Sequence, residues 1–174
     1  MSAAVAKQGE VQAFIALGSN LAEPRAQIEQ AFDALRTLPD SRFIRHSSLY
    51  RSAPVGYADQ PDFINAVAEI ATALAPQALL AALLDIEKRH GRVREFSNSP
   101  RTLDLDLLLY ADLSLNERGL MLPHPRMHGR AFVLVPLAEI APETVIPGVG
   151  PIKKLPNCNP ESLMKLDNKH DASR

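Results

Sequence analysis

The stretch Pro100-Arg101-Thr102-Leu103-Asp104-Leu105-Asp106-Leu107-Leu108-Leu109-Tyr110 places the tightest constraint on the fold. It is too rich in leucine to face solvent, yet two carboxylates stand in its middle. Read as a strand, alternate side chains share a face. Leu103, Leu105, Leu107 and Leu109 line one face, and Thr102, Asp104, Asp106 and Leu108 the other. A helix would break this pattern, because residues two apart do not face the same way on a helix. Asp104 and Asp106 then stand roughly 6–7 Å apart at their Cα atoms. Like charges at that spacing on a half-buried surface raise each other's pKa unless a cation sits between them. Hard oxygen ligands on a rigid strand suit Mg²⁺, which takes one or two carboxylates and completes its shell with water and substrate phosphates.

Bulk properties narrow the setting. With 174 residues the chain has room for one domain with a real core. At 46% hydrophobic and 22% charged it matches ordinary globular proteins. A formal net charge of −1 gives no global field toward nucleic acid or an anionic membrane, so affinity for anions must come from local arginine clusters. The lone Cys158 excludes an intrachain disulfide and a cysteine-rich metal site, in keeping with a reducing compartment. The first residues lack the apolar core of a signal peptide, and no run approaches a membrane span. A cytoplasmic, soluble protein is expected, with no nucleic-acid or membrane partner.

Taken in order, residues 1–10 read as a flexible leader. Val11 to Leu17 is a buried strand ending at Gly18-Ser19-Asn20, where Ser19 or Asn20 is placed to cap the next element. Pro24 opens a helix with Ile28, Ala31, Phe32, Leu35 and Leu38 at helical spacing. Phe43 to Tyr50 is a second strand, followed by a long Pro/Gly-rich connection through Asp62. Phe63 to Thr72 resumes as a strand, with Ile64, Ala66, Ala68 and Ile70 on one face and Phe63, Asn65 and Val67 on the other. Asn65 points where its neighbours are apolar, so it needs a partner. Pro76 opens a second helix, with Leu79, Leu80, Leu83, Leu84 and Ile86 as its apolar stripe and Glu87 nearby, and Gly91 stops it. A second long connection holds Arg92, Arg94 and Arg101 immediately before the aspartate strand. Beyond it, Pro123 keeps Leu122 extended, a helix is expected around Pro136, and a short helix over 161–166.

This order predicts an α+β, ferredoxin-like β-α-β-β-α-β fold, an antiparallel sheet with its helices on one face. The other face is left to the two long loops and the C-terminal segment. Residues 11–147 form the single domain, and 148–174 a partly disordered tail.

Four features converge chemically: the aspartate pair, the arginine connection, the Pro/Gly-rich connection, and Pro123-His124 with Arg130. Carboxylates hold Mg²⁺, Mg²⁺ bridges phosphates, and the planar fork of arginine grips phosphate oxygens in two places. Each feature alone has a blander reading: an ion-pair network for Asp-x-Asp, solvated surface for the arginines, a structural hydrogen bond for His124 or Asn65, core packing for Phe63 and Phe132. Neither G-x-x-x-x-G-K-S/T nor G-x-G-x-x-G is present, so the two common nucleotide cradles are excluded. Leucines flanking the aspartates exclude an EF-hand.

Together, Ala16-Leu17-Gly18-Ser19-Asn20-Leu21, Asp59-Gln60-Pro61-Asp62-Phe63-Ile64-Asn65-Ala66, Gly91-Arg92-Val93-Arg94, Pro100-Arg101-Thr102-Leu103-Asp104-Leu105-Asp106 and Pro123-His124-Pro125-Arg126-Met127 with Arg130 and Phe132 resemble the 6-hydroxymethyl-7,8-dihydropterin pyrophosphokinase family of folate biosynthesis. The resemblance implies transfer of the β,γ-pyrophosphoryl group of ATP to a pterin hydroxymethyl oxygen, leaving AMP. It implies that Asp104 and Asp106 hold two Mg²⁺ ions, and that Arg92 and Arg101 contact the phosphates. Glu87, Arg94, His124 and Arg130 fall at the ATP site. Asn65 falls at the pterin edge and Phe63 and Phe132 on its faces, beside backbone groups of Ser52, Ala53, Pro54 and Val55. Phe63 stands where a tyrosine is common, and Asn98 where some members carry tryptophan. Leu84, Gly119 and Met121 stand where some place polar nucleotide contacts. A monomer acting on small molecules is expected. The alternatives are a two-metal nucleotidyltransferase on a similar sheet and a non-catalytic nucleotide-binding regulatory module.

Overall fold

The computed structural model describes residues 9–54, 58–91, 102–158 and 163–166. The elements run β1 (Val11–Ser19), α1 (Pro24–Arg36), β2 (Ser41–His46), β3 (Tyr50–Ser52), β4 (Phe63–Thr72), α2 (Pro76–Arg89) and β5 (Asp104–Tyr110). They continue with β6 (Leu115–Glu117), β7 (Leu120–Leu122), α3 (Ala131–Ile140), β8 (Val145–Ile146), β9 (Gly150–Pro151) and β10 (Met164–Lys165). The main sheet is antiparallel, in the order β10-β3-β4-β1-β5, with β2 also pairing β4. This is the ferredoxin-like order, its second strand split in two.

The split follows from side-chain chemistry. Phe43 to Tyr50 is not one strand, because Ser47 and Ser48 offer the backbone other partners. Ser47 Oγ accepts from Val67 N–H at 2.9 Å, and Ser48 gives both its N–H and its hydroxyl to the Glu139 carboxylate. Between β2 and β3 the ladder is therefore interrupted.

Two cores flank the sheet. On one face Ile15, Leu17, Ile28, Leu35, Ile70, Leu79, Leu83, Ile86, Leu103, Leu105 and Leu107 pack beneath α1 and α2. On the other, Phe14, Val67, Leu108, Leu109, Met127, Val133, Leu134 and Leu137 pack with α3, joined by Ile146 and Ile152. The second face, assigned from sequence to loops and tail, is thus covered by a helix. Five consecutive residues of α3, Val133 to Leu137, are buried. Ile152, from the segment read as tail, is fully buried in this second core.

A bulge corrects the alternation on β5. Phe14 and Ile15 are adjacent on β1 but oppose Leu109 and Leu107, so Leu108 is an extra residue on β5. Leu109 is thereby turned away from Leu103, Leu105 and Leu107 and joins Leu108 in the second core. The short helix expected over 161–166 is also revised. Met164 and Lys165 pair as β10 against Arg51 and Tyr50, while 161 and 162 lie outside the described residues.

Candidate active site

The site grows from the register of four strands. Gly18 on β1 opposes Asp104 on β5 and Asn65 on β4, and Asn65 in turn opposes Tyr50 on β3. Residues opposed across a ladder share a face, so Asp104, Gly18, Asn65 and Tyr50 form one row across the sheet. Two residues along, Asp106, Ala16 and Val67 form the next. Glycine and alanine in the middle strand leave the floor low between the carboxylates and the amide. Above it opens a cleft lined by Ala16, Leu17, Gly18, Ser52, Ala53, Phe63, Asn65, Asp104, Asp106, Arg130, Phe132 and Val133.

Most of the residues expected from sequence meet here. Asp104 and Asp106 are half-buried on β5, and Arg130 at the start of α3 faces them. The Arg130 guanidinium lies 5.5 Å from the centre of the Phe132 ring, a cation–π contact that holds it over the cleft. Phe63, Asn65, Ser52 and Ala53 line the opposite side. Pro54 follows Ala53 without lining the cleft. Arg92, Arg94, Arg101, Val55 and Asn98 lie outside the described residues.

Ser19 and Asn20 do not cap α1. Its N-cap is Glu23, in left-handed conformation and without a side-chain cap bond. Ser19 Oγ instead donates to the carbonyl of Thr102, which leads into β5. Asn20 Nδ2 donates to Gln60 Oε1 at 2.8 Å and to Pro61 O at 3.0 Å, on the approach to Phe63. The end of β1 thereby pins the entries of the two strands that carry the site.

Glu87 stands elsewhere than among the cleft-lining side chains. It is 4% exposed on α2, behind the sheet, and its Oε2 accepts from the backbone N–H of Leu105 at 2.6 Å. It thus braces β5 at the amide between the two aspartates. Leu84 and Met121 are largely exposed, and Gly119 sits at a left-handed turn position with φ of 84°.

His124 lies close enough to Asp104 and Arg130 to feel both charges. Its backbone N–H donates to Leu108 O at 2.9 Å, pinning the turn to β5. Burial, with the Arg130 charge next, pushes its pKa down to about 4 against the opposing pull of Asp104. At neutral pH the ring is uncharged. Nδ1 accepts from Arg126 N–H at 3.2 Å, so the proton sits on Nε2, which is a donor.

Asn65 is 4% exposed and has the partner its position demanded. Its Nδ2 donates to Ser52 Oγ at 2.7 Å and to Tyr50 O at 3.3 Å. Tyr50 also donates its hydroxyl to Glu139 at 2.6 Å. The roles of Gly18 and Ala16 in the floor were missed from sequence. Their one signal is small residues interrupting an otherwise bulky apolar strand.

The residues present suit a divalent hard cation. Among the described residues, no third His, Cys, Asp or Glu joins Asp104 and Asp106 in a closed cage. Two carboxylates on one face of a rigid strand leave coordination positions to water and phosphate, as Mg²⁺ prefers.

Comparison with known proteins bears on the same segment. The sequence model of 7,8-dihydro-6-hydroxymethylpterin-pyrophosphokinase matches residues 14–142. A Pseudomonas aeruginosa protein named 2-amino-4-hydroxy-6-hydroxymethyldihydropteridine pyrophosphokinase is 53% identical over 134 residues, 77% of this chain and 83% of the relative. A Methylorubrum extorquens protein of the same name is 40% identical over 156 residues, 90% of this chain and 99% of the relative. The fold is similar to that of Plasmodium falciparum HPPK-DHPS crystallised with pteroate, with a TM-score of 0.70 at 15% identity. The match covers 90% of this chain and 46% of that one, so the chain spans about half of that longer protein. The family model covers most of the chain, and its span contains the whole described cleft; the chain belongs to the 7,8-dihydro-6-hydroxymethylpterin-pyrophosphokinase family.

Proposed function

We propose that the protein transfers the β,γ-pyrophosphoryl group of ATP to the hydroxymethyl oxygen of 6-hydroxymethyl-7,8-dihydropterin in folate biosynthesis, yielding the pterin diphosphate and AMP. The carrying observation is the row Asp104–Gly18–Asn65–Tyr50 with the adjoining row Asp106–Ala16–Val67, which together set a carboxylate pair and a buried amide on one cleft floor. A flat heteroaromatic fits the side lined by Phe63, Phe132 and Asn65, and a polyphosphate the side of Asp104, Asp106 and Arg130.

In the reaction the pterin oxygen bonds to Pβ, the bond from Pβ to the α,β-bridging oxygen breaks, and AMP departs with that oxygen. The hydroxymethyl proton passes to solvent. Asp104 and Asp106 would hold Mg²⁺, two ions by family resemblance. Bound there, Mg²⁺ neutralises phosphate charge and polarises the attacking hydroxyl. Arg130 adds positive charge beside the phosphates, and His124 offers an uncharged donor from Nε2. By the family resemblance Arg92 and Arg101 would contact the phosphates and Arg94 would stand at the ATP site. The low floor at Gly18 lets the two substrates approach closely, so the reaction gains from proximity.

We place the protein in the cytoplasm as a monomer acting on small molecules. Among the described residues, no helix is long and apolar enough to cross a membrane.

The test is AMP release from Mg-ATP with and without the pterin. Pterin-dependent AMP is expected. Pyrophosphate release instead would indicate a nucleotidyltransferase, and ATP binding with no product would indicate a regulatory module. Asp106→Ala is expected to abolish AMP formation while keeping the fold; normal turnover by that variant would sink the assignment.

A further inference from the structure

Helix α3 carries one wall of the cleft at its start and a single charge at its end. Arg130, Phe132 and Val133 line the cleft, and Glu139 is the one ionisable residue between Ala131 and Ile140. Phe132 and Glu139 are seven residues apart, so they stand on the same side of the helix, about two turns from each other. β3 has a matching pattern. Tyr50 and Ser52 share one strand face and are buried, while Arg51 between them is exposed. Ser52 lines the cleft on the side opposite the α3 wall.

Glu139 joins these two faces away from the cleft. Its carboxylate accepts the Tyr50 hydroxyl at 2.6 Å, the Ser48 hydroxyl at 2.7 Å and the Ser48 backbone N–H at 3.0 Å. Ser48 and Tyr50 are both buried, so removing the acceptor leaves their donors without a partner. Apolar packing does not do the same work. Val133 to Leu137 are all buried, and apolar burial is non-directional. A helix that is apolar on every side can slide or turn at little cost, whereas hydrogen bonds have preferred angles and hold it to one position.

We infer that Glu139 is a positioning residue, which acts through Ser48 and Tyr50 to set the separation between the cleft wall on α3 and the wall on β3. It touches no substrate. It holds Arg130 and Phe132 at the spacing that a polyphosphate and a flat ring need, so the cleft is formed before the substrates arrive. This rests on the pyrophosphoryl-transfer reading and adds to it a residue that the resemblance does not place at the site. Without the tie the competent spacing is only one of several. Apparent affinity then falls by the fraction of molecules that keep it. Bound substrates bridge the walls themselves, so turnover at saturation changes little.

The test is steady-state AMP release by the full-length protein with Mg-ATP and varied pterin, at a temperature where melting curves show each variant folded. Glu139→Ala is expected to raise KM for the pterin about tenfold and to keep kcat within about threefold. Tyr50→Phe, which removes one donor, is expected to raise KM about threefold. The double variant should be no worse than Glu139→Ala, since both act through one tie. Ile152→Val thins the same core beneath α3 without touching the carboxylate, and its KM stays within about twofold. Wild-type KM in folded Glu139→Ala, or an equal rise in Ile152→Val, overturns the inference. Should Glu139→Ala fail to fold, wild-type KM in Tyr50→Phe overturns it. The functional reading fails separately, by absence of pterin-dependent AMP from the wild type.

Discussion

Gly18 shows how much one missing side chain can matter. It has no positive φ to explain it, and a Cβ there would meet Asn65 Oδ1 at 3.6 Å and Phe63 Cδ1 at 3.8 Å. Those are ordinary contact distances, so backbone strain is not the reason for glycine. The methyl of Gly18→Ala would instead stand on the floor that a flat ligand has to cover. The variant is expected to keep its melting temperature within about 2 °C while losing about tenfold or more in pterin affinity, read by calorimetry and by ligand titration. A large fall in melting temperature with unchanged affinity would contradict this. Asp104, Asp106 and Asn65 were legible as residues, because a polar group in an apolar alternation stands out. Gly18 was not, since its partners on β4 and β5 are remote in sequence and only pairing brings them together.

Among the elements, β5 carries the two candidate metal-binding aspartates and, among the described residues, lies at an edge of the sheet, where outward backbone groups lack a strand partner. Glu87 on α2 satisfies one of them, the N–H of Leu105. Glu87→Leu would leave a buried amide unbonded at a cost of about 1–3 kcal/mol, whereas Glu87→Gln keeps an acceptor and loses less. Hydrogen exchange at Leu105 should accelerate in the first variant and hardly change in the second. From sequence Glu87 was placed at the ATP site. The spacing set it only beside the apolar stripe of α2, and its bond to the β5 backbone comes from how α2 packs on the sheet.

A second tie joins α3 to the β2–β3 break. Burial pushes the Glu139 pKa up, but bonds from Tyr50 and Ser48 and the nearby Lys165 charge outweigh it, and the net shift is below the ordinary 4.5. A carboxylate lowered on folding contributes stability that is complete above the unfolded value and is lost as pH falls through the folded one. Stability measured below pH about 4.5 should therefore fall more gently in Glu139→Gln than in the wild type. Equal slopes would mean that the carboxylate is not held as described.

At the scale of the whole molecule, both sheet faces are true core. Leu83 and Leu134 are fully buried on opposite faces. Leu83→Ala and Leu134→Ala should each cost about 2–5 kcal/mol, measured by denaturant unfolding. A much smaller loss for Leu134→Ala would mean that α3 is only a loose cover. The alternation of apolar residues, the Pro24 and Pro76 helix starts and the Asp104–Asp106 spacing were readable because each depends on neighbours in the chain. Periodicity assigns a residue to a face, and so determined the order of elements, the two-helix layer and the candidate chemistry. The tertiary structure decided the extra residue at Leu108, the third helix as the second layer, and the row that joins Asp104, Gly18, Asn65 and Tyr50. Those depend on register between distant strands, which is chosen by packing and hydrogen-bond closure across the whole sheet.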